Sequence, residues 1–124
     1  MSPSNAIYSQ LANHNLFNKR IKFGLKRIKL ALSKLGHPEK KINNVISVLG
    51  ESGKFTTLSS LKSFIEANGQ TVSTYISPSI QDIRERFYMG KRYLTHKEIK
   101  DTIKEIERLK IPLTIYEVLT LIYV

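Results

Sequence analysis

Gly50, Gly53, Lys54 and the hydroxyls of Thr56 and Thr57 stand close together, in the pattern of a loop that holds a phosphate chain. Backbone N–H groups converging at a helix N-terminus bind the oxygens, and glycine lets the backbone approach without a Cβ in the way. A lysine just after the second glycine reaches the β and γ phosphates, and a hydroxyl close behind it binds Mg²⁺. Lys54 and either Thr56 or Thr57 are the residues for those tasks. The full spacing G-x-x-x-x-G-K-S/T is not met, because Val48 stands where the first glycine would be and Phe55 where the hydroxyl would be. A bare G-x-x-G-K also describes a glycine-rich turn capping a helix, and the string alone leaves both open.

The flanking elements favour the phosphate loop. Residues 44–49, Asn-Val-Ile-Ser-Val-Leu, form a β-branched and apolar run that predicts a buried parallel strand delivering the loop. After it, Leu58, Leu61 and Ile65 recur at helical spacing with Phe64 beside them, and Asn68-Gly69 supplies a stop. Residues 71–76 predict a second strand. Strand, loop, helix, strand is the setting a phosphate loop requires.

Toward the C-terminus, Thr95-His96-Lys97-Glu98 is a capping box, followed by the apolar stripe Ile99, Ile103, Ile106 and Leu109. His96 is therefore placed as a first-turn surface residue rather than a catalytic base. Residues 113–124 are apolar on nearly every side, which predicts a buried helix. The lone carboxylate there, Glu117, must be paired, protonated or bound to a metal, unless it sits at an exposed edge near a lysine. The expected architecture is α/β: a basic helix over 18–35, two parallel strands around the loop helix, a short strand near 86–89 and two C-terminal helices. Residues 1–14 are the stretch expected to be flexible.

Composition narrows the chemistry. At 124 residues the chain makes one domain at most, and with no cysteine it has no disulfide, thiol nucleophile or cysteine zinc site. His14, His37 and His96 are too dispersed for a histidine metal cluster. No apolar stretch is long enough to span a bilayer and the N-terminus lacks a signal-peptide pattern, so a cytoplasmic protein without a membrane partner is expected. Residues 1–50 hold nine Lys/Arg against one acid, Glu39, whereas residues 51–124 hold eleven against nine. The excess gathers on the helix expected over 18–35, whose stripe Ile21, Leu25, Ile28, Leu32, Leu35 leaves Lys19, Arg20, Lys22, Lys26, Arg27, Lys29 and Lys34 on the other faces. A nucleic-acid or anionic-membrane surface would use such a face. A regular apolar stripe favours a solvated face of a packed helix instead.

The order of these pieces resembles the folylpolyglutamate synthase and dihydrofolate synthase ligases, relatives of the Mur peptidoglycan ligases, from about residue 16 to the end. Phe23-Gly24-Leu25-Lys26-Arg27-Ile28 with Leu35-Gly36-His37-Pro38 looks like the family's G-L-x-R-I and L-G-N-P. The loop looks like G-T-N-G-K-G-S. Tyr75-Ile76-Ser77-Pro78-Ser79-Ile80 resembles Y-T-S-P-H-L, Glu85-Arg86-Phe87 resembles E-R-I, and residues 112–120 are similar to P-L-T-x-F-E-x-L-T.

The resemblance implies a truncated Mur-ligase-like, phosphate-loop α/β domain and a chemistry. Such ligases use ATP to phosphorylate a carboxylate of a pteroate or folate, and the amine of L-glutamate then attacks the acyl phosphate. The implied ATP-binding set is Gly50, Ser52, Gly53, Lys54, Phe55 and Thr56, with Ser77 and Glu117 as Mg²⁺ ligands; no catalytic residue is assigned. Several positions depart from the pattern. Glu51 replaces a threonine beside a polyanion, Phe55 a glycine at the helix start, Ser52 an asparagine and Ser79 the histidine of S-P-H, and Asp82 falls where a basic residue is usual. Family members are several-fold longer, so residues 15–124 are expected to be the N-terminal part of the ATP-binding domain. Without the rest, including the glutamate-ligase domain, the chain is expected to be inactive alone or dependent on a complementary C-terminal chain. A stand-alone ATP-binding module and a basic helical nucleic-acid-binding module are the alternatives.

Overall fold

Ile99, Ile103 and Ile106 recur at helical spacing and are almost fully buried, which fixes the inward face of a helix over His96–Arg108 (α4). Its start is closed by the expected capping box: the Thr95 hydroxyl accepts from the Glu98 N–H at 3.2 Å, and the Glu98 carboxylate accepts from the Thr95 N–H at 2.8 Å. A second box, Thr114 with Glu117, opens the next helix, Ile115–Tyr123 (α5), which packs on α4. Val118, Leu119, Leu121 and Ile122 are buried, as the all-round apolar sequence of this helix demands. The computed structural model describes every residue except Lys19 and Ile21. It divides the chain into two units, Met1–Asn43 with Thr95–Val124, and Asn44–Leu94.

The N-terminal stretch is more ordered than its sequence suggested. Residues expected to be flexible form a helix over Pro3–Asn13 (α1), started by a Ser2 side-chain cap with proline in the first turn. Ile7 and Leu11, one turn apart, are fully buried against the first unit's core, where α1 meets α4. The Ser4 hydroxyl lies 3.2 Å from His96 Nε2, and His14 Nε2 lies 3.3 Å from Glu107. His96 therefore fastens α1 to the start of α4, consistent with a structural rather than a catalytic place.

The basic helix is shorter than its spacing predicted. It spans Lys26–Lys34 (α2), because Gly24 adopts φ of 108° and Leu25 caps the helix. Upstream, Asn18 pairs with the strand-like lead-in to α5: its N–H donates to Leu113 O at 2.8 Å, and its carbonyl accepts from the Ile115 N–H at 3.2 Å. Of the expected stripe, Ile28 and Leu32 are half-buried and Leu25 and Leu35 are exposed, while Ile21, like the basic Lys19, lies outside the described residues. Ala31 is the buried contact of α2.

In the second unit the loop helix spans Lys54–Ala67 (α3) and ends at Asn68-Gly69 as expected. Two short strands follow, Ser73–Tyr75 (β1) and Phe87–Met89 (β2), in antiparallel register with Tyr75 opposite Phe87. Ile83 and Phe87 are fully buried, and the Tyr75 ring stacks on Phe87 with centroids 5.8 Å apart. Tyr88 fastens β2 to α3, donating to Glu66 at 3.0 Å while Lys62 lies 3.9 Å over its ring.

The expected parallel pairing is corrected. Residues 44–49 form no strand, and Val45, Ile46 and Leu49 are 72%, 59% and 90% exposed. A β-branched run supplies propensity, but a ladder needs a neighbour, and among the described residues no strand runs beside it. α3 likewise has no buried residue. The α/β class stands, with its strands in an antiparallel hairpin. Among the described residues no helix is long and apolar enough to cross a membrane.

Burial separates two otherwise similar substitutions. Ile103→Ala should cost about 2–5 kcal/mol of unfolding free energy, whereas Ile46→Ala should stay within about 0.5 kcal/mol. Urea denaturation of the two variants checks this, and equal losses would contradict the assigned core.

Candidate phosphate loop and arginine-held side chains

The glycines of the loop adopt backbone conformations that other residues reach only with strain. Gly50 has φ of 154° and Gly53 φ of 75°, and Gly53 directly precedes the first residue of α3. A Cβ at Gly53 would meet nothing within 4 Å, so glycine serves the turn itself and leaves the approach to the helix end open. α1, α4 and α5 close their first turns with side-chain caps, but α3 has none, and its first helical bond runs from the Thr57 N–H to Gly53 O at 2.9 Å. The N–H groups just before Thr57 therefore face an anion-favouring dipole end. α2 also starts without a side-chain cap, but a single glycine, Gly24, precedes it where α3 has the pair Gly50 and Gly53.

Lys54 folds back over this loop. Its ammonium donates to the carbonyls of Gly50 and Glu51, the latter at 3.2 Å, which places a positive charge at the mouth of the turn. Ser52, Thr56 and the Glu51 side chain are exposed there. Phe55, 56% exposed, lines a shallow hollow along α3 with Thr56, Ser59, Ser60, Ser63 and Phe64. Glu51 is the unfavourable element: at about 5 Å and an effective dielectric near 20, each like-charge pair costs roughly 3 kcal/mol before screening. Its exposure reduces that cost.

Ser77 lies in the same unit, on the loop leaving β1, and is exposed. Its Oγ accepts from Arg86 at 3.1 Å, and the same guanidinium nitrogen reaches Ile76 O at 3.4 Å. Arg86 is buried to 6% exposure. Next to it, Glu85 accepts from the N–H groups of Ile80 at 2.6 Å, Gln81 at 3.2 Å and Asp82 at 3.1 Å. The Ile80 amide, followed by those of Asp82 and Gln81, outweighs desolvation and holds the Glu85 carboxyl below the ordinary carboxylate range.

Glu117 belongs to the other unit. Its Oε2 accepts from the Thr114 N–H at 2.8 Å and from Arg27 Nε at 3.1 Å. Arg27 also donates to Lys22 O at 2.6 Å. Of the alternatives open for this carboxylate, the structure realises the paired one, with an arginine as partner. Arg27 had been counted among solvent-facing charges, yet its side chain is 23% exposed and that of Glu117 12%. Arg27 and Arg86 are the residues that sequence reasoning missed, although both sit inside quoted motifs. The signal was their nearness to a short polar turn: a buried guanidinium needs several acceptors, and such turns provide them.

The oxygen chemistry suits a hard cation, while the arginines constrain it. A divalent ion about 5 Å from a guanidinium is repelled by roughly 6–7 kcal/mol at an effective dielectric near 20, before screening. Ser77 fits such an ion only when phosphate oxygens bring compensating charge. Among the described residues no group of three or more His, Asp or Glu side chains gathers into a metal site of its own.

No protein-family model matches the chain. It is 35% identical over 109 residues to the dihydrofolate synthase/folylpolyglutamate synthase of Escherichia coli (strain K12), covering 86% of this chain and 26% of that protein. Against the dihydrofolate synthase/folylpolyglutamate synthase of Bacillus subtilis (strain 168) it is 42% identical over 71 residues, 54% of this chain and 16% of that one. The crystal structure of the bifunctional folylpolyglutamate synthase/dihydrofolate synthase from Yersinia pestis CO92 superposes with a TM-score of 0.82 and 29% identity, covering 99% of this chain and 30% of that one. E. coli FolC in complex with ADP gives a TM-score of 0.81 with 32% identity, covering 98% of this chain and 28% of that one. The Y. pestis protein is also known in complex with AMPPNP and Mn ion. The chain spans less than a third of the length of these relatives.

The fold defines an α/β protein of the Mur-ligase-like class. Within that class its relatives are the folylpolyglutamate synthase/dihydrofolate synthases, whose N-terminal region it matches.

The Glu85 contacts predict a pH response. Because the folded carboxyl is held below its unfolded value, the contribution is present above the unfolded pKa and is lost as pH falls through the folded one. Acid titration followed by the Ile80 amide NMR shift should give a midpoint below the ordinary carboxylate range. A midpoint at or above that range would contradict the three-amide arrangement.

Proposed function

We propose that this chain is the nucleotide-phosphate-binding part of a folylpolyglutamate synthase-like ligase, which joins L-glutamate to a folate or dihydropteroate carboxylate through an acyl phosphate at the expense of ATP. The observation that carries this proposal is the open start of α3 behind Gly50 and Gly53, with Lys54 folded over the turn. The likeness to relatives whose structures are solved with ADP, or with AMPPNP and Mn ion, adds support.

Under this proposal the N–H groups at the start of α3 receive phosphate oxygens, and Gly50 and Gly53 keep the approach clear. Lys54 exchanges its loop carbonyls for phosphate oxygens, a stronger charge-assisted contact. Ser52, Phe55 and Thr56 border the phosphates, and the Thr56 hydroxyl takes the place of the family's loop serine. Ser77 in its own unit, and Glu117 in the other, are each proposed to supply an oxygen that can bind Mg²⁺. When bound, the ion neutralises charge on the transferred phosphoryl group. Arg27 and Arg86 hold those two oxygens in place beforehand, so the chain orders the ligands without the ion. Glutamate addition is proposed to need the parts of the relatives that this chain does not span, supplied by further polypeptide. Glu51 opposes the phosphate charge and should keep affinity modest.

Calorimetry with Mg-ATP tests the proposal. The intact chain should bind, Lys54→Ala should weaken binding at least about tenfold, or about 1.4 kcal/mol, and Glu51→Thr should strengthen it. Absence of binding, or binding indifferent to Lys54→Ala, would overturn it.

A further inference from the structure

The turn that presents Ser77 is gripped at both ends by two adjacent residues. On its far side, Glu85 collects the three successive N–H groups of Ile80, Gln81 and Asp82. On its near side, Arg86 reaches Ile76 O and Ser77 Oγ, while its own carbonyl accepts from the Ile76 N–H at 3.2 Å. Both residues belong to one short 3-10 turn, Ile83–Arg86, whose Ile83 is fully buried and whose Asp82–Glu85 capping box fixes its start. The gripped segment has little packing of its own, since Ser77 and Pro78 are exposed and Ile80 is 77% exposed. Its shape therefore depends on these polar contacts rather than on a core.

We propose that Glu85 and Arg86 are a pair of positioning residues that fix the exposed Ser77 hydroxyl in one place and one orientation. A serine oxygen has two lone pairs and one hydrogen. With one lone pair taken by the Arg86 N–H, the other is left for a cation and the hydrogen is turned away from it. Arginine suits the task because it stays protonated across the accessible pH range and its planar fork reaches two acceptors, which the single ammonium of lysine does not reproduce. Glu85 suits its own because a carboxylate only accepts, and three converging N–H groups need an acceptor with more than one oxygen. The consequence for nucleotide binding rests on the proposed metal role of Ser77, whereas the grip itself does not.

Two readouts on the 124-residue chain keep these apart. In amide hydrogen exchange, Glu85→Ala should speed exchange at Ile80, Gln81 and Asp82 by at least about tenfold, with α3 and α4 unchanged; Glu85→Gln, which keeps one carbonyl acceptor, should lie between. Arg86→Lys, which retains the charge, the stem and the backbone carbonyl that accepts from the Ile76 N–H, should instead shift the Ile76 carbonyl and Ser77 side-chain resonances, whose oxygens it no longer bridges; unmoved resonances in the folded variant overturn its part of the grip. Unchanged exchange at these amides in folded variants overturns the proposal. In ATP titrations with and without Mg²⁺, Glu85→Ala should reduce the gain from Mg²⁺ by about tenfold and leave metal-free ATP affinity intact. Faster exchange with an unaltered Mg²⁺ gain overturns the link to Ser77 as a ligand. Failure of the unsubstituted chain to bind ATP overturns the nucleotide proposal, while the exchange data still decide the grip.

Discussion

An open helix start is the constraint on which this molecule's chemistry depends. A helix leaves its first N–H groups without partners, and α1, α4 and α5 answer that need with Ser2, Thr95 and Thr114. α3 does not. Its cap position is Gly53, which has no side chain to bond with, and the glycine turn before it keeps the N–H groups accessible. A glycine at the cap costs only about a few tenths of a kcal/mol relative to a bonded one, so the open start is cheap to keep, and an anion is a partner that its N–H groups can take. Lys54 then sits over the turn as the only charged side chain bonded to it among the described residues.

The motifs that carry the family resemblance interlock in pairs. Arg27, from the glycine-leucine helix start, pairs with Glu117, which also caps α5. Arg86, from the short 3-10 turn, holds Ser77, from the loop after β1. In each case an arginine fixes an oxygen that the family resemblance assigns to a metal. A buried or half-buried guanidinium must be satisfied by several acceptors, which makes it a good fixture for a polar turn and an expensive residue to lose. It also repels a bare cation, so both oxygens are better matched to a metal that arrives with phosphate than to a free ion.

Much of this was legible in the sequence because its signals are local. Thr95 with Glu98 announced α4, the Ile99, Ile103, Ile106 stripe named the buried face, and Asn68-Gly69 marked the end of α3. What was missed depended on neighbours. The run at 44–49 has the composition of a buried strand, but Val45 and Leu49 stay exposed where no partner strand lies beside them among the described residues. The helix over 18–35 lost its first part to Gly24, whose positive φ overrides a periodic pattern. α1 went unseen because its N-terminal signal, Ser2 before Pro3, is short and its stripe holds only Ile7 and Leu11. Arg27 reads as surface charge and Arg86 only as part of a motif, since nothing in a linear sequence shows which charges are buried.

The central claim is that phosphate binds at the start of α3. Titrating ATP into the ¹⁵N-labelled chain and following backbone amide shifts tests it most directly. The account predicts the largest changes at Gly53, Lys54, Phe55 and Thr56, with Gly50 following and the capped starts of α4 and α5 unmoved. Changes centred instead on the basic residues of α2, or none at the α3 start at saturating ATP, would contradict it.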